Sequence, residues 1–308
     1  MVGQVLIALS VGRGCAELHD RMMVGVRVQR FELDETWSFV GKKQKNVKRN
    51  ELFAKGDQYV FVGMAGTQKA IISYRVGKRD TANTDAFIQD LRGRVIGLPE
   101  ISTDGFLPYK NAIRDAFGNR IAHGTITKTY SVTNLGTAAA VRYSPAQVVA
   151  VERDVVSGVP AEISTSYVER SNLTLRMGSR RFTRLTNGFS KSLDCHVAAV
   201  SLHVAFYNLV RQHEALRTTP TVALGITDHV WSFAELIDAA LSTQPITPVT
   251  TAPDHRKRFK VIEGGERNKM LKRKRGLWAR AFQGVTGGPG LKHRAPITKS
   301  QHCGVLSL

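Results

Sequence analysis

Three carboxylates stand where the sequence pattern changes: Asp34 inside an alternating segment, Asp104 just beyond a short β-rich run, and Glu169 at the start of helical spacing. Each has a structural explanation. Asp34 sits on the polar side of its segment with Glu32, Thr36 and Ser38, and Glu35 is an equally available acid beside it. Asp104-Gly105 is a common turn pair. Ser166-Tyr-Val-Glu169 fits a capping box, in which the Glu side chain returns to the Ser amide. Together the three describe chemistry. If the first and fourth strands of a mixed sheet are neighbours, Asp34 and Asp104 stand on adjacent backbones and a following helix presents Glu169 to them. Carboxylates about 4 Å apart repel by about 4 kcal/mol at an effective dielectric of 20. They need a cation, and an all-oxygen acidic site suits Mg²⁺ or Mn²⁺. Two such ions about 3.5–4 Å apart activate a nucleophile and stabilise the leaving oxygen in phosphodiester cleavage.

The elements that must position these acids are legible from periodicity. Arg27 to Val40 alternates, with Phe31, Leu33, Trp37 and Phe39 on one side, which is the period of a strand. Gln58–Met64 and Ala70–Val76 are two more β-rich runs joined by a hairpin-length connection. Phe87, Leu91 and Val95 mark a helix, Leu98–Thr103 a short strand, Tyr109–Phe117 a second helix closed by Gly118, and Ile121–Val132 another strand. This order predicts an α/β sandwich with a mixed sheet flanked by helices. The stretch from Arg142 to Pro160 reads as an insertion with a strand pair around Val148 to Val155. Helices are expected from near Ser164 through Arg176, from Leu193 to His213, and from Trp231 to Leu241.

Composition narrows the partners. The chain has 308 residues, with 44 Lys+Arg against 25 Asp+Glu, a formal charge of +19 and a sequence pI near 10.2. That is a chain for polyanions. From Thr251 onward there are 14 Lys+Arg and three acids, so more than half of the excess lies in the last fifth, read as a disordered basic tail. Hydrophobic residues at 42% supply at least one folded core. Apolar runs such as Val5–Leu9 and Val197–Val200 fall short of the roughly 20 residues that span a bilayer. No membrane association and no signal peptide are expected, and the cytosol is the expected compartment. Cys15, Cys195 and Cys303 are scattered and odd in number, which excludes a disulfide framework. His196 and His203, two helical turns apart near Cys195, lack the Cys pairs of a zinc module and are set aside. Gly12-Arg-Gly14 follows an apolar run like a dinucleotide loop, but Glu17 occupies the third glycine's place and would repel a pyrophosphate.

Four ordered blocks carry a family resemblance: Phe31-Glu-Leu-Asp34 through Gln44, Ser102-Thr-Asp104 through Tyr109, Thr165-Ser-Tyr-Val-Glu169 through Arg176, and Tyr207-Asn-Leu-Val-Arg-Gln-His213. They resemble transposases of the insertion-sequence-one family, and the likeness extends from about Leu6 to Leu241. It implies a ribonuclease-H-like catalytic core of the DDE type, in which Asp34, Asp104 and Glu169 match the catalytic and metal-binding triad, with Mg²⁺ or Mn²⁺ as cofactor. It also implies cleavage and joining of DNA at transposon terminal inverted repeats and in target DNA, within the bacterial cytosol or nucleoid. Family members carry a zinc-binding and helix-turn-helix part ahead of the core. Residues 1–25 resemble only its last portion, 26–242 the core, and the basic tail from 243 to 308 has no counterpart.

DNA contact is expected from the basic side chains around the core. Arg176, Arg180 and Arg184, joined by Arg181, would form a cationic stripe on a helix beginning near Glu169, holding phosphates in register. Lys42 and Lys43 open a basic patch after the first strand, and Arg211 belongs to a third patch with His213 and Arg217. The resemblance leaves room for a homo-oligomer. Two other readings compete with a transposase: a catalytically silent DNA-binding remnant, and a metal nuclease of the same fold acting on RNA–DNA hybrids.

Overall fold

The computed structural model describes residues 2–51, 54–131, 147–182 and 187–242. The tail from 243 to 308 lies outside them. Strands β1 (Arg30–Val40), β2 (Gly56–Ala65) and β3 (Ala70–Gly77) form an antiparallel meander. Helix α2 (Thr81–Arg94), N-capped by Asp80 through Asn83 N, returns the chain to β4 (Glu100–Asp104), which pairs parallel to β1. Helix α3 (Pro108–Phe117) then leads to β5 (His123–Ser131), parallel to β4. The sixth strand, β6 (Gln147–Ser157), runs antiparallel to β5. The sheet is six-stranded and mixed, in the order β3-β2-β1-β4-β5-β6.

Helices cover both faces. On one, Phe31, Leu33, Phe61 and Ile101 pack with Phe87, Leu91, Tyr109 and Ile113 of α2 and α3. On the other, Val60, Val62 and Met64 pack with Val168 and Leu175 of α4 (Ser166–Gly178) and Val200 and Val204 of α5 (Leu193–Ala205). The alternation of β1 therefore separates two buried faces rather than a core from water. Glu32, Thr36 and Ser38 are all buried; Glu32 and Ser38 find partners, while Thr36 Oγ1 has none among the described residues. The Glu32 carboxylate accepts from Tyr167 N at 2.7 Å and Val168 N at 3.0 Å, the open amides at the start of α4. Ser38 Oγ meets His196 Nε2 at 3.0 Å, and Ser190 Oγ meets His196 Nδ1 at 2.8 Å.

A third apolar cluster joins α1 (Val2–Met22) to α5 and to α7 (Phe233–Ser242), through Val11, Cys15, Leu18, Leu209 and Leu236. Gly12 and Gly14 serve this contact: a Cβ on Gly12 would stand 2.5 Å from Ala198 Cβ, and one on Gly14 would stand 1.8 Å from Ala240 O. The short helix α6 (Pro220–Ala223) precedes α7. By length and composition Leu193–Val210 is apolar enough to cross a membrane, and 50% of it is buried inside the protein.

Two expectations from periodicity need correction. The segment read as an inserted strand pair is one 11-residue strand at the edge of the sheet. Val148, Val149, Val151 and Val155 are exposed on it, so neither face is a core face and no alternation reveals the strand. The helix carrying Glu169 stops at Gly178, and Arg180–Phe182 is a 3₁₀ turn. Glycine weakens the helix there, and burial of Phe182 in the second core turns the chain. Arg176, Arg180 and Arg181 therefore do not form one helical stripe, and Arg184 lies outside the described residues.

Candidate active site

The positions of Asp34 and Asp104 follow from strand register. The parallel pairing of β1 with β4 runs from Arg30↔Glu100 to Leu33↔Thr103, so Asp34 and Asp104 are next along their strands. At Asp104 β4 ends while β1 continues for six residues. Because β4 stops, side chains from both faces of β1 reach the same space. One oxygen each from Asp34, Glu35 and Asp104 lies within 4.8 Å of the others. They line a cleft of about 840 Å³ together with Glu169, Asn172 and Arg176 of α4, Lys128 of β5 and Arg79.

Each acid has a distinct setting. Asp34 Oδ2 accepts from Asn172 Nδ2 at 2.8 Å. Burial, and then the neighbouring Asp104 charge, push its pKa up to about 6. Glu35 points to the α2–α3 side, with its side chain 3% exposed and Arg79 Nε 3.2 Å from Oε2. Burial and Asp104 raise its pKa to about 7. The Tyr109 hydroxyl is near enough to pull in the opposite direction, but without good hydrogen-bond geometry, so Glu35 Oε1 has no partner. Asp104 accepts from Phe106 N at 3.0 Å, the turn role expected of Asp-Gly, and from Arg79 Nη2 at 3.2 Å. Burial raises its pKa as well. The Arg79 guanidinium is held 3.9 Å over the Phe106 ring and bridges Glu35 and Asp104.

Glu169 lines the cleft but is not part of the three-acid cluster. Its Oε1 pairs with Lys128 Nζ and accepts from Thr165 Oγ1 at 2.6 Å. The capping-box geometry does not form: Ser166 N turns to Ser164 Oγ at 3.3 Å, and the first amides of α4 are taken by Glu32. The Glu169 side chain is thus left facing the cleft, one ion-pair rearrangement from the acids.

These residues fit a hard divalent cation. Their donors are carboxylate oxygens, Glu35 Oε1 and Asn172 Oδ1 are buried without partners, and the crowding that raises three pKa values is what a dication relieves. Among the residues expected to bind DNA, Arg176 lines the cleft, while Arg211 lines a separate cavity. Lys42 pairs with Glu51 at 2.7 Å, and Lys43 is exposed in the loop beyond β1. Eight residues of strand length put that loop roughly 25 Å from Asp34. Arg181 Nη1 donates to Ser190 Oγ at 3.2 Å, away from the acids. The sequence offered Glu35 only as an alternative to Asp34, and gave no sign of Arg79, Lys128 or Asn172.

No family model matches the chain, and no curated protein matches it. Among solved structures, it is similar to a piggyBac transposase in its synaptic complex with hairpin DNA, at a TM-score of 0.32 and 12% identity. That likeness covers 69% of this chain and 52% of the other, so the chain spans about half the length of that transposase.

Proposed function

We propose that this protein is a DDE-type DNA transposase of the insertion-sequence-one kind. Asp34 and Asp104 would hold Mg²⁺ or Mn²⁺ and Glu169 would complete the set. The observation that carries this reading is the convergence of Asp34, Glu35 and Asp104 oxygens within 4.8 Å in a cleft that Glu169 also lines. The sheet order with a parallel β1–β4–β5 core supports taking the fold as ribonuclease-H-like, with residues 26–242 as the catalytic domain. The +19 charge supports a nucleic acid substrate, and the bacterial cytosol or nucleoid is the compartment proposed with it.

When bound, the divalent ion supplies Lewis-acid polarisation of the phosphodiester and lowers the pKa of the attacking hydroxyl. The chain's own residues prepare the cleft. Asn172 orients Asp34, Arg79 keeps Glu35 and Asp104 from drifting apart, and Lys128 holds Glu169 until the cation enters. Arg176, at the mouth of the cleft, would position a phosphate beside the acids. In this reading water first frees a 3′-hydroxyl at an element end, and that hydroxyl then attacks target DNA.

The test is nicking and strand transfer on duplexes bearing terminal inverted repeats, with Mg²⁺ or Mn²⁺ and with chelator. Chelator should abolish both steps. Asp34→Asn, Asp104→Asn and Glu169→Gln should each do the same while DNA binding persists. Metal-independent nicking, or full cleavage by any of the three variants, removes that part of the scheme. DNA binding with no cleavage under any metal would favour the silent remnant.

A further inference from the structure

A second cavity of about 740 Å³ lies on the other side of α4. Glu169, Asn172 and Arg176 line the carboxylate cleft, while Tyr167, Arg170 and Thr174, at the same helical spacing, line this one. The helix is thus a shared wall, about 10 Å thick.

Three departures from regular backbone converge here. The β2–β3 register shifts at Gly63/Met64, and Met64 lines the cavity. Lys69, in the turn between those strands, has φ +54, a left-handed conformation that costs a non-glycine residue about 1 kcal/mol or more. Phe206–Val210 is a π-helical turn, which places Tyr207 and Arg211 at the rim. That turn is pinned to the edge strand β3 by Asn208, whose amide accepts from Ile71 N at 3.0 Å and donates to Ile71 O at 2.8 Å.

The cations these devices present have no acidic partner among the described residues. Lys69 Nζ lies 3.5 Å over the Tyr167 ring, and no ion pair holds Arg170 or Arg211. His213, ring to ring with Tyr207 at 4.5 Å, keeps its Nε2 buried and unpartnered. Its pKa is lowered by burial first and then by Arg211 and Lys69, so the local field is positive. Glu214 also lines the hollow, but it pairs with none of the three cations and is outnumbered by Lys69, Arg170 and Arg211, so a polar hollow of this size with a net positive lining fits an anionic group, and the same helix wall carries the acids.

We propose that this cavity, through Lys69, Arg170, Arg211 and His213, holds a backbone phosphate of the DNA strand entering the carboxylate cleft, at a nucleotide away from the scissile bond. The proposal rests on the reading of the protein as a DNA-processing enzyme. It makes α4 a divider that grips the strand on one side and exposes it to the acids on the other.

The test measures binding of a labelled duplex by fluorescence anisotropy from 50 to 200 mM salt. It uses the full chain carrying Asp34→Asn, without divalent ion, so cleavage does not enter. Arg170→Gln/Arg211→Gln is compared with Arg13→Gln/Arg21→Gln, an equal charge change at exposed positions of α1 that line neither cavity. The pocket pair should weaken binding on the order of tenfold and flatten the salt slope by about one unit, the value for one lost phosphate contact. The α1 pair should leave the slope nearly unchanged. Equal effects from both pairs, or no DNA binding by the parent chain, would overturn the proposal. A pocket effect here, together with no cleavage by the unsubstituted chain under Mg²⁺ or Mn²⁺, would keep the phosphate site and remove the transposase chemistry.

Discussion

Asn172 Nδ2 donates to Asp34 Oδ2 at 2.8 Å, tying helix α4 to strand β1 at the acid the cleft depends on. The bond exists because Glu32, two residues earlier on the same face of β1, caps the start of α4. The strand thus fixes the helix's origin, and one turn and a half later the helix fixes the strand's carboxylate. An Asn172→Ala change should leave the fold intact and reduce metal-dependent cleavage by roughly 10–100-fold, the usual cost of losing an outer-sphere partner. Rates at saturating DNA against metal concentration would show it, and a wild-type metal dependence would remove Asn172 from the site.

The acid cluster should be a stability cost without metal. Burial first, and neighbouring like charge after it, raise the pKa of Asp34, Glu35 and Asp104, and like charges about 4 Å apart cost about 4 kcal/mol even at an effective dielectric of 20. Asp104→Asn is therefore expected to raise the melting temperature in EDTA by a few degrees, about 1 kcal/mol at this chain size. Mg²⁺ should stabilise the parent and not the variant. A variant less stable than the parent in EDTA would show that Arg79 already neutralises the cluster.

Lys128 pairs with Glu169 and, in the proposed site, would compete with a cation for it. With Lys128→Gln the glutamate loses its ion-pair partner and keeps only the Thr165 hydroxyl. The metal concentration for half-maximal cleavage should then fall several-fold, since exposed or half-exposed ion pairs are worth about 1 kcal/mol or less. An unchanged or raised requirement would mean that Lys128 acts on the substrate and not on the glutamate.

Much of this site was readable before the structure, for physical reasons that also mark where reading stopped. Asp34, Asp104 and Glu169 stand at strand and helix positions that periodicity locates, and the ordered blocks around them carry a family resemblance. Glu35 was not readable as a partner of Asp34, because alternation assigns adjacent strand residues to opposite faces; only the end of β4 at Asp104 lets both reach one space. Arg79 and Lys128 meet the acids from elements whose neighbours depend on strand order, which sequence spacing does not encode. Glu32 looked like a solvent-facing acid because its partner, the start of α4, lies 135 residues away. Strand β6 was read as a strand pair in an insertion because both of its faces are exposed and no alternation sets its length, and the arginine stripe failed because Gly178 ends the helix.

Acid and base should act on stability in opposite directions over overlapping pH ranges. Glu35 and Asp34 have folded pKa values of about 7 and about 6, above their ordinary values, because of burial and then Asp104. A carboxyl raised in this way destabilises the fold above its folded pKa, and the deficit is relieved as pH falls toward the unfolded value. His19, His123 and His196 are lowered to about 4, chiefly by burial. A histidine held neutral contributes stability above its unfolded pKa of 6.5 and loses it as pH falls toward 4, up to about 3 kcal/mol each. The histidines begin to lose stability near pH 6.5, where the carboxyls are only starting to return it, so in EDTA the melting temperature should stay nearly level from pH 8 to about pH 7 and fall below. Saturating Mg²⁺ should make that fall steeper, because an ion that keeps the carboxylates charged removes their compensating gain and leaves the histidine loss. Scanning calorimetry from pH 8 to 4.5 with and without Mg²⁺ measures the difference. Profiles that fall in parallel with and without Mg²⁺ would mean that the ion does not hold the carboxylates charged, and with that the case for a cation site between Asp34, Glu35 and Asp104 would fail.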